Sequence, residues 1–275
     1  MYSNAAVIGN FESSMAVEHR QTPAYAMKFS VQEAVLPEIK DAGFTHLSLG
    51  NNHSFDFGVA GYKNAREKLQ SQSLTSFGSG EYVGSDSIAI VSTIKGDVAL
   101  IGINASQRTP TKEEVERVLT QASKRSSFQV VYVHWGNEYD LTHSTAQRAL
   151  AEVFVDAGAD VIVGHHPHVV QDIDIIKGVV VFYSLGNYIF DQYFSSDVQE
   201  GLVVGLDLAF DPTLTLIPVT SKKQLSQPTY MKPSDHKLFL ENLAKRSHPS
   251  LREKIKAGSI PLLDTVATST KVAMM

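Results

Sequence analysis

Strand-like and helix-like patterns alternate along this chain as far as about residue 170, and that alternation restricts the fold to helices layered on sheets. Apolar runs at residues 5–9, 45–50, 128–134 and 161–164 read as strands, with FQVVYVH at 128–134 the strongest. Three capping boxes predict helix starts: Ser30 with Glu33, Thr111 with Glu114, and Ser144 with Gln147. The corresponding helices end near Gly43, Lys124 and Gly158, and Pro37 predicts a kink or a late restart in the first. Residues 59–70 read as a further helix, followed by a loop around 78–80. Lys95-Gly96-Asp97 and Lys177-Gly178 each sit between two apolar runs and predict hairpins, so the sheets are expected to be mixed. Two more strands are expected within 201–219, broken at Asp211-Pro212, then helices near 235–246 and after Pro249.

The 275 residues are about 1.8 times the ~150 residues of a usual domain. The division that fits is one large domain over 1–220 with a C-terminal helical extension, 221–275, packed on it. Hydrophobic residues at 43% and charged residues at 19% exclude a disordered chain. With 24 basic against 29 acidic residues and no basic arm, nucleic acid is not an expected partner. The chain has no cysteine, which excludes disulfides and thiol catalysis. No apolar run approaches the ~18 residues of a membrane span, and MYSNAAVIGNFESS lacks the basic start of a signal peptide. The expected location is therefore cytoplasmic for the chain as written, or membrane-associated or exported if the true start lies upstream.

In α/β folds the loops at the carboxyl ends of strands carry the chemistry, and five such loops hold suitable residues. GNNHSFDFG, 50–58, offers the amide oxygen of Asn52 as a ligand and His53 as an acid, with Asp56 read equally well as a turn cap. His134 closes the strongest strand, and Glu138 follows it. In GHHPHVVQ, 164–171, His166 and His168 stand two apart; in extended backbone both face one side and can share a metal, while His165 points away. Glu12 follows the first strand, and Asn187 and Asp191 lie in SLGNYIFDQ, 184–192, where a turn asparagine and a capping aspartate are the plainer reading. Each residue taken singly also fits a solvated loop. Their shared position after strands is what points to one site. Carboxylate, amide and imidazole donors without thiolate suit Mn²⁺, Fe or Zn²⁺, and such a centre makes hydroxide from water near neutral pH. The G-x-S-x-G elbow and the glycine-rich phosphate loops are missing.

With IGNFES, LGNNHSFDFGVAGY, VVYVHWGNEY, QRALAEVFVDAGADVIVGHHPHVVQ and VFYSLGNYIFDQ, in that order from residue 7 to 192, the chain resembles the CapA family of poly-γ-glutamate capsule synthesis proteins. The resemblance implies a calcineurin-like metallophosphoesterase fold, a four-layer α/β/β/α sandwich with mixed sheets. It implies Glu12, Asn52, His134, His166 and His168 as metal ligands and His53 as the group assisting the leaving oxygen. Glu138, Asn187 and Asp191 match family positions without an assigned role. Family members open with a strand ending in Gly-Asp, whose aspartate binds the first metal. Nothing before Tyr2 supplies one, so the fold is expected without its first strand and with one or two ions, the first position weakened. Two functions follow as expectations. One is a metal-dependent hydrolase of phosphoester or other anionic bonds in envelope polymer metabolism. The other is a non-catalytic accessory protein that binds an anionic polymer or partner.

Overall fold

The computed structural model describes residues 5–18 and 27–262. The stretch around Tyr2 and the end of the 221–275 extension lie outside the described residues. The fold is mixed α/β, as expected, and divides into two units, Met1–Trp135 and Gly136–Met275.

In the first unit, three short strands, β1 (Ile8–Asn10), β2 (His46–Ser48) and β3 (Thr75–Phe77), pair in parallel in that order. Parallel neighbours need a crossover, and helices α1 (Leu36–Asp41) and α2 (Gly58–Ser71) supply two. Tyr62, Ala65 and Leu69 recur at helical spacing on α2 and are buried with Phe11, Met15, Leu36, Leu47, Leu49 and Leu74 in one cluster. The second ladder of this unit runs β4 (Ile88–Thr93), β5 (Gly96–Asn104) and β6 (Phe128–His134). β4 is antiparallel to β5, and β5 is parallel to β6. Residues 98–104 of β5 are almost continuously buried, as expected of a strand paired on both edges. Helix α3 (Lys112–Ser123) buries Val115, Val118, Leu119 and Ala122 and packs on β5 and β6.

In the second unit, α4 (Thr145–Asp156) leads into β7 (Val161–His165), which pairs in parallel with β9 (Val179–Phe182). β9 forms a hairpin with β8 (Ile173–Ile176). Both turn residues of that hairpin, Lys177 and Gly178, have positive φ, as a two-residue turn matching the strand twist requires. Strands β10 (Glu200–Asp207) and β11 (Thr213–Thr220) pair antiparallel along their whole length. Short strands β12 (Thr229–Tyr230) and β13 (Ser259–Pro261) add to β11. Helix α5 (Pro233–Arg246) buries Phe239, Leu240, Leu243 and Ala244 and packs on β8, β11 and α6 (Arg252–Lys256). Among the described residues, no helix is long and apolar enough to cross a membrane.

Two of the three expected capping boxes form. The Thr111 side chain accepts from Glu114 N at 3.2 Å and Thr111 N donates to the Glu114 carboxylate at 2.8 Å; Ser144 and Gln147 repeat the arrangement. The third is a correction. Ser30 caps nothing; its hydroxyl accepts from Ala16 N, and the chain passes through a 3₁₀ turn at Glu33–Val35 before α1 begins. Pro37 in the first turn explains the late restart, because proline is tolerated where the helix has no N–H to satisfy. Thr111→Ala removes one cap on a surface helix far in sequence from the candidate ligands. It should cost about 1 kcal/mol, read as a fall of ~2–4 °C in the melting midpoint, with metal binding unchanged.

Candidate metal centre

In the first unit the candidate residues sit where the strands stop. Glu12 lies two residues after β1, and His134 is the last residue of β6. The His134 imidazole is buried, its Nε2 3.6 Å from Glu12 Oε1. Asn10 joins them: its Nδ2 donates to Glu12 Oε2 at 3.1 Å and lies 3.5 Å from His134 Nδ1. Asn51, fully buried, donates to Asn10 Oδ1 at 3.2 Å and to Phe11 O at 2.9 Å. Sequence reading missed Asn10 and Asn51. Their signal was the asparagine immediately before two quoted candidates, within GNFE and GNNH.

Asn52 differs from its neighbour. Its Oδ1 is buried and makes no hydrogen bond. A buried acceptor left so costs roughly 1–3 kcal/mol, and a cation there would satisfy it. That donor, with the imidazole and carboxylate of His134 and Glu12, makes a set that fits a borderline divalent ion.

His53 is fixed from three sides. Its Nδ1 lies 2.8 Å from Asp56 Oδ2, its ring stacks on Phe29 at 4.0 Å, and its backbone N donates to Asn51 Oδ1 at 3.1 Å. Asp56 therefore holds a histidine, together with Phe29 N at 2.6 Å, and does not cap the following helix. With Nδ1 engaged by a carboxylate, Nε2 is the nitrogen left for proton transfer.

In the second unit, Glu138, His166 and His168 each offer a ligand atom, and the three atoms lie within 4.8 Å of one another. The route to this arrangement is a correction. His166 and His168 are not extended: their φ values are 100° and 58°, so a turn with left-handed backbone, and not strand alternation, places them. Non-glycine residues held there cost on the order of 1–3 kcal/mol each and gather at ligand clamps and active sites. Asn187 is no idle turn residue, since its Oδ1 lies 2.9 Å from His168 Nδ1, which leaves Nε2 of that ring to face the cluster. Tyr139 and Phe190 flank the His168 ring, with centroids 6.2 and 4.7 Å away. His165, at the end of β7, is not in the cluster; burial pulls its pKa down to about 3, so it is neutral. Asp191 is exposed and stands outside the cluster as well.

The comparisons with known proteins bear on these stretches directly. Residues 2–192 match the family described as bacterial capsule synthesis protein PGA_cap. The chain belongs to that family. The capsule biosynthesis protein CapA of Bacillus anthracis is 36% identical over 218 residues, 72% of this chain and 53% of that protein. The PGA biosynthesis protein CapA of Bacillus subtilis (strain 168) is 34% identical over 213 residues, 72% of this chain and 56% of that protein. A probable polyglutamine synthesis accessory protein of Mycobacterium tuberculosis (strain CDC 1551 / Oshkosh) is 25% identical over 52% of this chain and 44% of its own length. The chain thus spans about half the length of the curated relatives it matches. All five stretches quoted from the sequence fall within the matched residues.

Proposed function

We propose that this PGA_cap family member is a metal-dependent hydrolase acting on a phosphoester or another anionic bond in capsule polymer metabolism. The observation that carries the reading is the buried, unbonded amide oxygen of Asn52, one residue before a histidine braced by a carboxylate. In this reading Glu12, Asn52, His134, His166 and His168 are the ligands. A bound divalent ion would supply hydroxide near neutral pH and neutralise charge on the substrate. The chain's own residues do the rest. His53 gives the Nε2 proton to the departing oxygen, and Asp56 stabilises the imidazolium before transfer and keeps the ring in place. Asn10 and Asn51 hold Glu12 and His134 at the ends of their strands.

The test is turnover of a generic aryl phosphodiester by the full chain after chelation and after Mn²⁺ is restored. Rate should vanish on chelation and return with Mn²⁺, and His166→Ala should lose metal and rate together. An equal residual rate in wild type and His166→Ala would sink the hydrolase. A second reading, a non-catalytic accessory protein that binds an anionic polymer or partner, is favoured by the name of the mycobacterial relative. It predicts metal binding, or none, without turnover.

A further inference from the structure

We propose that Glu138, His166 and His168 together hold one divalent metal ion, as a two-histidine, one-carboxylate set complete within the second unit. The proposal deepens the reading above by adding Glu138 to its ligands, and it stands on binding alone, whether or not the chain hydrolyses anything.

The three donor atoms lie within 4.8 Å of one another. Small side-chain rotations close that spread to the roughly 3.4 Å separating ligand atoms on a tetrahedral ion with bonds of ~2.1 Å. The set leaves a coordination position open, as catalytic zinc sites do, and two imidazoles with one carboxylate suit Zn²⁺, Fe²⁺ or Mn²⁺.

An exposed glutamate near two histidines would mean little if its loop were free to wander. This loop is tied down on every side. Tyr139 N donates to Pro167 O at 2.8 Å, which locks the residue after Glu138 to the residue between the two histidines. Gln171 Nε2 donates to Asp140 O at 2.9 Å and to Thr142 O at 3.1 Å. His143 N donates to Asp172 Oδ1 at 2.8 Å, and its ring Nδ1 lies 2.7 Å from Asp172 Oδ2. Gln192 Nε2 donates to the Tyr139 hydroxyl at 3.0 Å. Tyr139, His166 and His168 all hold positive φ, so three non-glycine residues around the three donors adopt backbone that their side chains disfavour. With Asn187 on Nδ1 of His168, the orienting contact that metal-binding imidazoles usually have is already in place.

The experiment is Zn²⁺ binding to the full chain, by competition with a chromophoric chelator, together with the visible absorption of the Co²⁺-loaded protein. Glu138 is exposed, so Glu138→Gln keeps the fold, which its melting curve checks. It should weaken one Zn²⁺ equivalent at least tenfold, since loss of even an outer-sphere partner costs ~10–100-fold, and it should change the Co²⁺ spectrum. Asp191→Asn, which removes a nearby-in-sequence charge outside the cluster, should do neither, and Glu12→Gln should leave this equivalent in place. Zinc affinity of Glu138→Gln within twofold of wild type would overturn the proposal. So would equal weakening by Asp191→Asn, loss of the same equivalent in Glu12→Gln, or a wild type that binds no zinc. Binding without turnover would defeat the hydrolase and leave this site standing.

Discussion

His53→Ala should lower kcat by about 10²–10⁴-fold on a phosphodiester with an alkoxide leaving group, the contribution usual for a positioned acid. On a nitrophenyl ester the loss should be far smaller, because nitrophenolate departs with little need of a proton. The difference between the two substrates is the informative quantity. His53 is held by Asp56 on Nδ1 at 2.8 Å and by the Phe29 ring, so its Nε2 has a fixed direction. Asp56→Asn should follow His53→Ala in direction with a smaller loss, since the imidazole stays but its orientation and basicity suffer. Metal content should be unchanged in both variants. Equal losses on the two esters would show that His53 does not protonate the leaving group.

Gly201→Ala should be the most damaging single methyl in the second unit. A Cβ there would lie 2.2 Å from Asn187 O and 3.2 Å from Asn187 C, backbone atoms that cannot swing aside. Gly201 meets Gly186 in an isolated antiparallel bridge, so the strand and the Asn187 turn would have to separate. Overpacking typically costs about 1–3 kcal/mol. The displacement also reaches the candidate ligands, because Asn187 Oδ1 braces His168. Metal affinity should fall about 10–100-fold, as when an orienting partner is lost. Gly205→Ala, on the same strand, is the control: its nearest neighbour would be Thr215 Cβ at 3.7 Å, an ordinary contact. If both variants melt and bind metal alike, the close approach of residues 187 and 201 has no such role.

Much of this architecture was legible because local signals agree with each other. Thr111 with Glu114 and Ser144 with Gln147 are reciprocal caps that need no tertiary partner, and both form. The Lys177-Gly178 hairpin is equally local. Ser30 misled because the same residue types also serve loops, and here its hydroxyl is claimed by Ala16 N from another stretch. β3 went unread because three residues, Thr75–Phe77, are too few to show a period. At the site, residue types were legible and backbone was not. Nothing in GHHPH announces positive φ at two histidines, since only the surrounding structure can impose it. The bracing roles of Asp56 and Asn187 were invisible for a similar reason: a cap and a histidine partner look identical until the partner's place is known.

The end of α5 gives the histidine loop a dependence that its motif conceals. Arg246 Nη2 donates to Val170 O at 2.8 Å, the Ser247 hydroxyl accepts from Ile173 N at 2.9 Å, and His248 N donates to Ile173 O at 2.9 Å. Three consecutive residues thus hold the backbone that leaves His168, at a separation of more than seventy positions. Val170 and Ile173 are buried, so their backbone groups would go unbonded without that grip, at roughly 1–3 kcal/mol each. GHHPHVVQ is therefore not a portable cassette. Grafted alone onto another scaffold it would keep its imidazoles and lose the backbone that aims them. A working transplant would have to run from about residue 136 through His248, carrying along a polar helix that no motif search would select.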